Sequence, residues 1–155
     1  MSNVNHTRET GIIIIGSGFG GLGMGLRLKQ AGREDFVILE RAQDVGGTWR
    51  DNDYPGVACD VPSHLYSFSF MTKPDWSRVF SPGGEILDYL RSCARDGDLI
   101  PHIHFGAEML SAKWDEAEGL WTVETSLGSW SARFLVSACG VLSEAVIPEI
   151  PGLES

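Results

Sequence analysis

The length, composition and charge of the chain limit its architecture and its partners. Its 155 residues are enough for one domain, and the 43% of hydrophobic residues can form a core. The net charge of −9 argues against nucleic acid or an anionic membrane as a partner. It does not exclude a phosphate ligand, because backbone N–H groups and a helix dipole can bind one.

Targeting and redox features of the sequence predict a cytoplasmic protein. No apolar run reaches membrane-spanning length, and residues 1–10 are polar, so we expect a flexible leader there and no signal segment. The three cysteines, Cys59, Cys93 and Cys139, are odd in number and widely spaced. This usage suits a reducing compartment and offers no disulfide framework.

A glycine-rich turn between a strand and a helix predicts a dinucleotide-binding site. Residues 12–15 are a β-branched run typical of a buried parallel strand. The run leads into Gly-x-Gly-x-x-Gly, in which Gly16 permits a tight turn, Gly18 lets a pyrophosphate approach the backbone and Gly21 lets a helix pack against the strand. The N–H groups at the start of that helix would face the phosphates. The candidate cofactor-binding residues of this turn are Gly16, Ser17, Gly18, Phe19, Gly20 and Gly21.

The segment after the turn completes a βαβ unit. Leucines at helical spacing predict a helix over residues 19–31, and Gly32 ends it. Residues 36–39 form a second buried strand, and Glu40 comes directly after it, about 20 residues beyond the last glycine of the turn. A carboxylate there can accept hydrogen bonds from both hydroxyls of an adenosine ribose. If the glycines served packing alone, these features would have to coincide by chance.

The next segment, residues 41–49, extends the site toward a flavin. Gly46 and Gly47 permit another close approach of the backbone to a ligand. Thr48 adds a hydroxyl and Trp49 a large flat surface. A segment placed just past the ribose-binding acid can follow the pyrophosphate toward an isoalloxazine ring, which an ordinary nicotinamide domain does not need. The candidate cofactor-binding residues of this segment are Arg41, Gly47, Thr48 and Trp49.

The middle of the chain predicts a helix and carries a pair of histidines. Residues 81–84 start a helix that runs to about Arg95. His102 and His104 are two residues apart and would share one strand face, but a third ligand is lacking, so we predict no metal site. The apolar stripe of the helix consists of Ile86, Leu87, Leu90, Cys93 and Ala94.

The last third of the chain predicts an antiparallel β-meander followed by a buried strand. Over residues 105–134 apolar side chains recur at every second position, with a turn at residues 116–119. We expect this meander to lie on the main sheet. Residues 134–138 then return as a buried strand, and Cys139 and Gly140 open a loop at its carboxyl end, the usual ligand side of such sheets.

Taken in order, these motifs resemble the FAD domain of class B flavin-dependent monooxygenases, which include the flavin-containing and the Baeyer–Villiger monooxygenases. Gly-Gly-Thr-Trp, ending at Trp49, separates the chain from the flavoprotein disulfide reductases, which carry a cysteine at that position. The resemblance covers nearly the whole chain from Gly11 onward. Its further motifs are Tyr54-Pro55-Gly56, residues 59–63, residues 65–70, Asp75-Trp76-Ser77, residues 137–140 and Ile150-Pro151-Gly152.

The resemblance implies an α/β fold with a Rossmann-like FAD-binding βαβ unit and a parallel sheet, plus the antiparallel β-meander. We expect the FAD-binding domain over residues 11–155, as the N-terminal portion of a larger fold with two dinucleotide domains. The second domain of the resembled enzymes binds NADPH, and we expect it to be absent from this chain. The chain alone is therefore expected to be an inactive fragment.

The resemblance also assigns three residues in later segments. Asp60 matches an aspartate beside the flavin and is the one catalytic candidate, as an electrostatic partner of the flavin; its alternative role is to cap a turn before Pro62. Tyr66 matches a position that contacts FAD, unless it only packs among neighbouring aromatic residues. The backbone near Met109 would meet the adenine.

The activity implied by the resemblance is NADPH-dependent oxygenation. NADPH reduces FAD, O2 adds to give a C4a-(hydro)peroxyflavin, and one oxygen atom is transferred to a small-molecule ketone or to a nitrogen or sulfur atom. Residues 50–53 lack the aromatic side chains that many Baeyer–Villiger enzymes carry there, so the subclass stays open. Two alternatives remain: another FAD- or NAD-dependent oxidoreductase of this fold, and a non-catalytic nucleotide-binding fragment.

Overall fold

The computed structural model describes residues 7–152. The described chain contains, in order, β1 (Arg8–Ile15), α1 (Phe19–Gln30), β2 (Phe36–Glu40), α2 (Thr48–Asp51), α3 (Gly83–Asp96), β3 (Ile103–Phe105), β4 (Met109–Asp115), β5 (Leu120–Thr125) and β6 (Gly128–Ser137). Single 3-10 turns lie at Ser63–Leu65 and Ile100–His102. In this part of the chain, none of the helices combines the length and the apolar character needed to cross a bilayer.

The strands form one mixed sheet in the order β3-β2-β1-β6-β5-β4. Strand β1 pairs in parallel with β2 and with β6, and β2 pairs in parallel with β3. Strands β4, β5 and β6 form an antiparallel meander. The predicted α/β architecture, a parallel βαβ unit with a meander, is therefore confirmed.

The junction between the two parts of the sheet differs from the prediction. We expected a meander lying on the sheet and a separate strand at residues 134–138. Instead β6 runs unbroken through both segments, with one edge on β5 and the other on β1, from Arg8↔Trp130 to Ile15↔Ser137. The alternation of apolar residues continues across this region without a turn residue, so the two segments form a single strand.

The alternating pattern of apolar residues also predicts more burial on one part of the sheet than the structure shows. Strand β4 lies at an edge, and its Leu110 and Trp114 side chains are 66% and 39% exposed. Phe134 in β6 is 63% exposed. The pattern identifies residues that share a face, but it does not tell whether another layer covers that face.

The sheet takes in part of the predicted leader. Residues 1–6 lie outside the described residues, but residues 8–10 belong to β1 and pair with residues 130–132 of β6. The leader prediction is therefore wrong for residues 8–10. Their polar side chains gave no sign of a strand, because the pairing partner, β6, lies far along the chain. The Arg8 guanidinium lies 5.2 Å from the centroid of the Trp130 ring in β6.

Two hydrophobic clusters cover the two faces of the central strands. On one face, Ile14 and Ile38 pack with helices α1 and α3. On the other, Ile13 and Ile15 pack with Val123 of the meander. Because both faces of β1 are buried, its sequence reads as a continuous apolar run. The buried residues of the predicted helical stripes are Leu22, Leu26, Leu28, Ile86, Leu90, Cys93 and Ala94.

The histidine pair does not share a strand face. His102 ends a 3-10 turn and stacks on Phe36 with ring centroids 4.2 Å apart, and its Nε2 lies 3.0 Å from a Glu34 carboxylate oxygen. His104 lies in β3, with its ring centroid 4.7 Å from that of Trp130. Both imidazoles therefore pack against aromatic side chains.

Replacing Leu90 by alanine tests the core beneath the helices. Leu90 is fully buried in α3, so Leu90→Ala leaves a cavity, and we expect the free energy of unfolding to fall by about 2–5 kcal/mol. Leu110→Ala makes the same change on exposed β4 and should shift it by less than about 0.5 kcal/mol. Urea unfolding followed by circular dichroism measures both values, and equal losses would contradict this assignment of core and surface.

Candidate functional site

A cavity of about 370 Å³ lies at the carboxyl ends of β1, β2 and β6. These three ends are neighbours because Ile15 pairs with both Leu39 and Ser137. Ligands bind at this edge of parallel sheets. The predicted cofactor-binding residues that line the cavity are Gly16, Ser17, Gly18, Phe19, Gly20, Glu40, Arg41, Gly47, Thr48, Trp49, Tyr66 and Met109.

Two predicted residues, Gly21 and Asp60, are not part of this lining. Gly21 is buried beneath the glycine turn. Asp60 is exposed, next to the buried Cys59, whose backbone N–H donates to the Ser81 carbonyl at 2.9 Å. Asp60 is therefore not among the residues that line the cavity, but, after burial, its charge helps to raise the pKa of Tyr66, which does line it, and its flavin-side role stays a prediction from the resemblance.

The glycine turn after β1 has a geometry that depends on glycine at two positions. Gly16 has a φ of +96°, where side chains are strained, and its N–H donates to the Leu39 carbonyl at 2.8 Å. A Cβ atom on Gly21 would overlap the Gly16 carbonyl oxygen. Glycine at position 21 therefore lets α1 begin directly against the turn.

The start of α1 is a suitable position for an anion. Its N-cap, Gly18, makes no side-chain cap hydrogen bond, and the first turn has no acidic side chain. The Gly18 carbonyl accepts from the Leu22 N–H at 3.0 Å, so the earlier N–H groups of this turn precede the first intrahelical bond. Phe19 and Gly20 line the cavity here. Together with the helix dipole, these N–H groups favour a phosphate.

A second pair of glycines packs against the first turn. The Gly46 N–H donates to the Ser17 carbonyl at 3.0 Å, and a Cβ atom on Gly47 would lie 3.1 Å from the Gly18 Cα. Gly46 and Gly47 have φ values of +124° and +53°. Glycine thus permits the two backbones to approach each other, and their contact forms one wall of the cavity.

The acid at the end of β2 is buried and surrounded by donors. Glu40 is 3% exposed. Its Oε2 accepts hydrogen bonds from the Ser17 N–H at 2.9 Å and from the Ser17 hydroxyl at 2.7 Å. Its Oε1 accepts from the Ala42 N–H at 2.9 Å, and Arg50 Nη1 lies 3.0 Å away. These donors compensate for the burial of a charged carboxylate.

Arg50 is a site residue that the sequence analysis missed. Its Nε and Nη2 donate to the two Asp51 carboxylate oxygens at 2.8 and 3.1 Å, and its Nη1 donates to the Asp44 carbonyl at 2.6 Å. Burial acts to lower the pKa of Arg50, but Asp51 and Glu40 outweigh it and raise the pKa, so the guanidinium stays charged. Helix α2 is too short to show the periodicity of apolar residues that would have placed Arg50. Buried acids are usually paired, however, so an acid at the end of a buried strand indicates a cation nearby.

Aromatic side chains form another part of the lining. Trp49 and Tyr66 meet edge to face with ring centroids 5.4 Å apart, and Trp49 Nε1 donates to the Tyr66 hydroxyl at 3.3 Å. Phe19 packs edge-on against Tyr66 with centroids 5.0 Å apart. Burial raises the pKa of Tyr66, so its hydroxyl stays protonated and can itself donate. This end of the cavity suits a planar ligand with polar edges.

Loops after β3 and β6 complete the lining. Glu108 contributes from the first loop, and Ser143 and Glu144 contribute from the second, which the sequence predicted at this edge of the sheet. Arg41 Nη2 donates to the Ser143 carbonyl at 2.6 Å and ties the second loop to the end of β2. The sequence did not predict this contact because it joins residues far apart along the chain.

Sequence comparisons relate the chain to oxygenases. A family model described as NAD(P)-binding Rossmann-like domain matches residues 14–82. A Baeyer-Villiger monooxygenase of Streptomyces coelicolor is 52% identical over 144 residues, which cover 93% of this chain and 28% of that protein. Another, from Pseudomonas aeruginosa, is 44% identical over 149 residues, covering 96% of this chain and 28% of that protein. The chain therefore spans about 28% of the length of these curated relatives.

Solved structures also relate the chain to monooxygenases. The open crystal structure of cyclohexanone monooxygenase matches with a TM-score of 0.87 and 37% identity, over 96% of this chain and 30% of that one. Oxidized steroid monooxygenase bound to NADP matches with a TM-score of 0.85 and 39% identity, over 94% of this chain and 29% of that one. These similarities confirm the resemblance inferred from the sequence motifs.

Replacing Gly21 by alanine tests the close approach of α1 to the glycine turn. The added Cβ atom would overlap the Gly16 carbonyl oxygen, so we expect Gly21→Ala to lower the free energy of unfolding by about 1–3 kcal/mol. Gly84→Ala, in the first turn of α3, is the matched control because a Cβ atom there meets nothing within 4 Å. It should be neutral or stabilising by about 0.5–1 kcal/mol. Thermal unfolding of both variants beside the wild type measures the two changes in stability. A Gly21→Ala protein as stable as the wild type would show that α1 can begin farther from the glycine turn.

Proposed function

We propose, on the premise that this chain is a homologue of part of the Baeyer–Villiger monooxygenases, that it is the FAD-binding portion of an NADPH-dependent flavin monooxygenase. The observation that carries the proposal is the convergence of a glycine turn, the start of α1 and the buried Glu40 carboxylate on one cavity. Each of these features suits a different group of a dinucleotide. We assign the FAD-binding domain to the chain from β1 onward.

The polar half of FAD would lie against the glycine turn. Its pyrophosphate would bind the N–H groups at the start of α1, where Gly18 and Gly47 leave the backbone uncovered by side chains. Glu40 would accept hydrogen bonds from the adenosine ribose. The adenine would extend toward Met109, which lines the cavity at the start of β4. The donors and acceptors of the cavity therefore fit this cofactor.

The flavin half would extend toward the aromatic part of the lining, with Thr48, Trp49 and Tyr66. When bound, FAD supplies the redox and oxygen chemistry of the reaction. The side chains of this chain bind and orient it: Trp49 offers a flat surface, and Tyr66 a protonated hydroxyl. Asp60 remains the one candidate for an electrostatic partner of the flavin, although it is not part of the cavity lining.

The substrate that we propose is a small ketone, oxidised with O2 and NADPH. Similar structures are named for cyclohexanone and a steroid, which favours ketone oxygenation over oxidation at nitrogen or sulfur. NADPH would bind outside these 155 residues, because the sequence holds one glycine fingerprint and spans about 28% of its relatives. The net charge argues against nucleic acid as a partner. Free cysteines at all three positions suit the cytoplasm.

Release of bound cofactor tests the proposal directly. The purified chain is denatured, and the absorbance spectrum and chromatographic mobility of the released compound are recorded. We expect a yellow flavin that co-elutes with FAD. A colourless protein that also fails to bind added FAD would contradict the proposed function.

Replacing Glu40 by glutamine tests the ribose assignment. The glutamine side chain carries no charge, and its amide nitrogen cannot accept the hydrogen bonds that the second carboxylate oxygen accepts. We therefore expect Glu40→Gln to raise the Kd for FAD at least about tenfold. Glu118→Gln, in an exposed turn, should leave the Kd unchanged.

The quenching of flavin fluorescence on binding measures both constants. Circular dichroism of Glu40→Gln checks that the protein remains folded. A folded Glu40→Gln protein with the Kd of the wild type would show that Glu40 does not bind the ribose.

A further inference from the structure

Glu40 has no acceptor position left for a ligand in this structure. Each carboxylate oxygen has two lone pairs. The N–H and the hydroxyl of Ser17 fill the positions on Oε2, at 2.9 and 2.7 Å. On Oε1 the N–H of Ala42 fills one position at 2.9 Å, and the Arg50 guanidinium lies against the other as an ion pair, with Nη1 3.0 Å away. With Glu40 only 3% exposed, a ribose hydroxyl can reach the carboxylate only by replacing a donor.

Two of these four donors are side chains that can withdraw. The N–H groups of Ser17 and Ala42 are fixed by the backbone, whereas the Ser17 hydroxyl can turn about χ1. Withdrawal of Arg50 Nη1 from Glu40 also breaks its hydrogen bond to the Asp44 carbonyl, whereas Nε and Nη2 can stay paired with the Asp51 carboxylate. The two side chains face different oxygens of the carboxylate.

We propose that the Ser17 hydroxyl and the Arg50 guanidinium are place-holders, which give way to the two hydroxyls of a ribose diol when a nucleotide binds. This inference rests on the proposed function, because it requires an adenosine nucleotide in the cavity. The device has a physical reason: a buried carboxylate that lacks donors destabilises the fold. The place-holders supply donors while no ligand is present.

The place-holders make the wild-type site tolerant of a missing hydroxyl. When a nucleotide lacks its 2′- or 3′-hydroxyl, the place-holder on the corresponding oxygen stays where it is, and Glu40 keeps all of its donors. Without that place-holder, the missing hydroxyl leaves the buried carboxylate short of one donor. A Ser17 or Arg50 side chain with a purely structural role would not change the dependence of binding on each hydroxyl.

Calorimetric titration of the 155-residue chain with ADP, 2′-deoxy-ADP and 3′-deoxy-ADP tests the inference. The quantity compared is the ratio of each deoxynucleotide Kd to the Kd for ADP. The three nucleotides carry the same charge, so a change in the charge of the protein alters their Kd values alike and leaves the ratios unchanged. We expect Ser17→Ala to raise one ratio at least about fivefold and Arg50→Met to raise the other. The matched controls, Ser111→Ala and Arg33→Met, change exposed side chains and should leave both ratios unchanged.

Ratios that stay at the wild-type value in both variants, or that fall, would overturn the inference. Ser17→Ala removes only one hydroxyl, so it provides the test even if Arg50→Met does not fold. FAD binding by the wild type separates the two proposals. If FAD binds and the ratios do not rise, only the place-holder inference fails. A wild-type chain that binds neither FAD nor ADP overturns the proposed function and the inference with it.

Discussion

A single buried carboxylate fixes the relative positions of the segments that form the candidate site. Glu40 gathers donors from the turn after β1, through Ser17, from its own loop, through Ala42, and from α2, through Arg50. An ionised group at this depth destabilises the fold by several kcal/mol unless such partners are present. The glycines let the backbones of these segments approach each other, and the negative charge of Glu40 determines which groups face its carboxylate.

The site places two kinds of electrostatic environment side by side. The start of α1 attracts anions, and the neighbouring Glu40 attracts hydroxyl donors and repels anions. A nucleotide presents anionic phosphates next to a neutral ribose diol, so its groups match this arrangement. The binding of phosphate through backbone N–H groups also explains how a chain with a net charge of −9 can hold an anionic ligand.

Local signals in the sequence predicted the parts of the fold and the site that depend on neighbours along the chain. The glycine spacing, the apolar runs of β1 and β2 and the position of Glu40 identified the glycine-turn and acidic parts of the cavity lining. Contacts between distant segments were not predictable in this way. The pairing of residues 8–10 with β6, the approach of Arg50 to Glu40 and the exposure of Asp60 all depend on tertiary packing. A four-residue helix such as α2 shows no periodicity, so its side chains could not be placed.

The pairing of β1 with β6 has a consequence for how the chain folds. Strand β1 ends at Ile15 and β6 begins only at Gly128, yet the two are neighbours in the sheet. Pairing between segments so far apart requires the closure of a long loop, which slows folding. Until β5 and β6 emerge from the ribosome, Ile13 and Ile15 lack the layer that covers them. The nascent chain therefore exposes the apolar face of its central strand until residues 120–137 have been made, and this is the interval in which it is open to aggregation or to capture by chaperones.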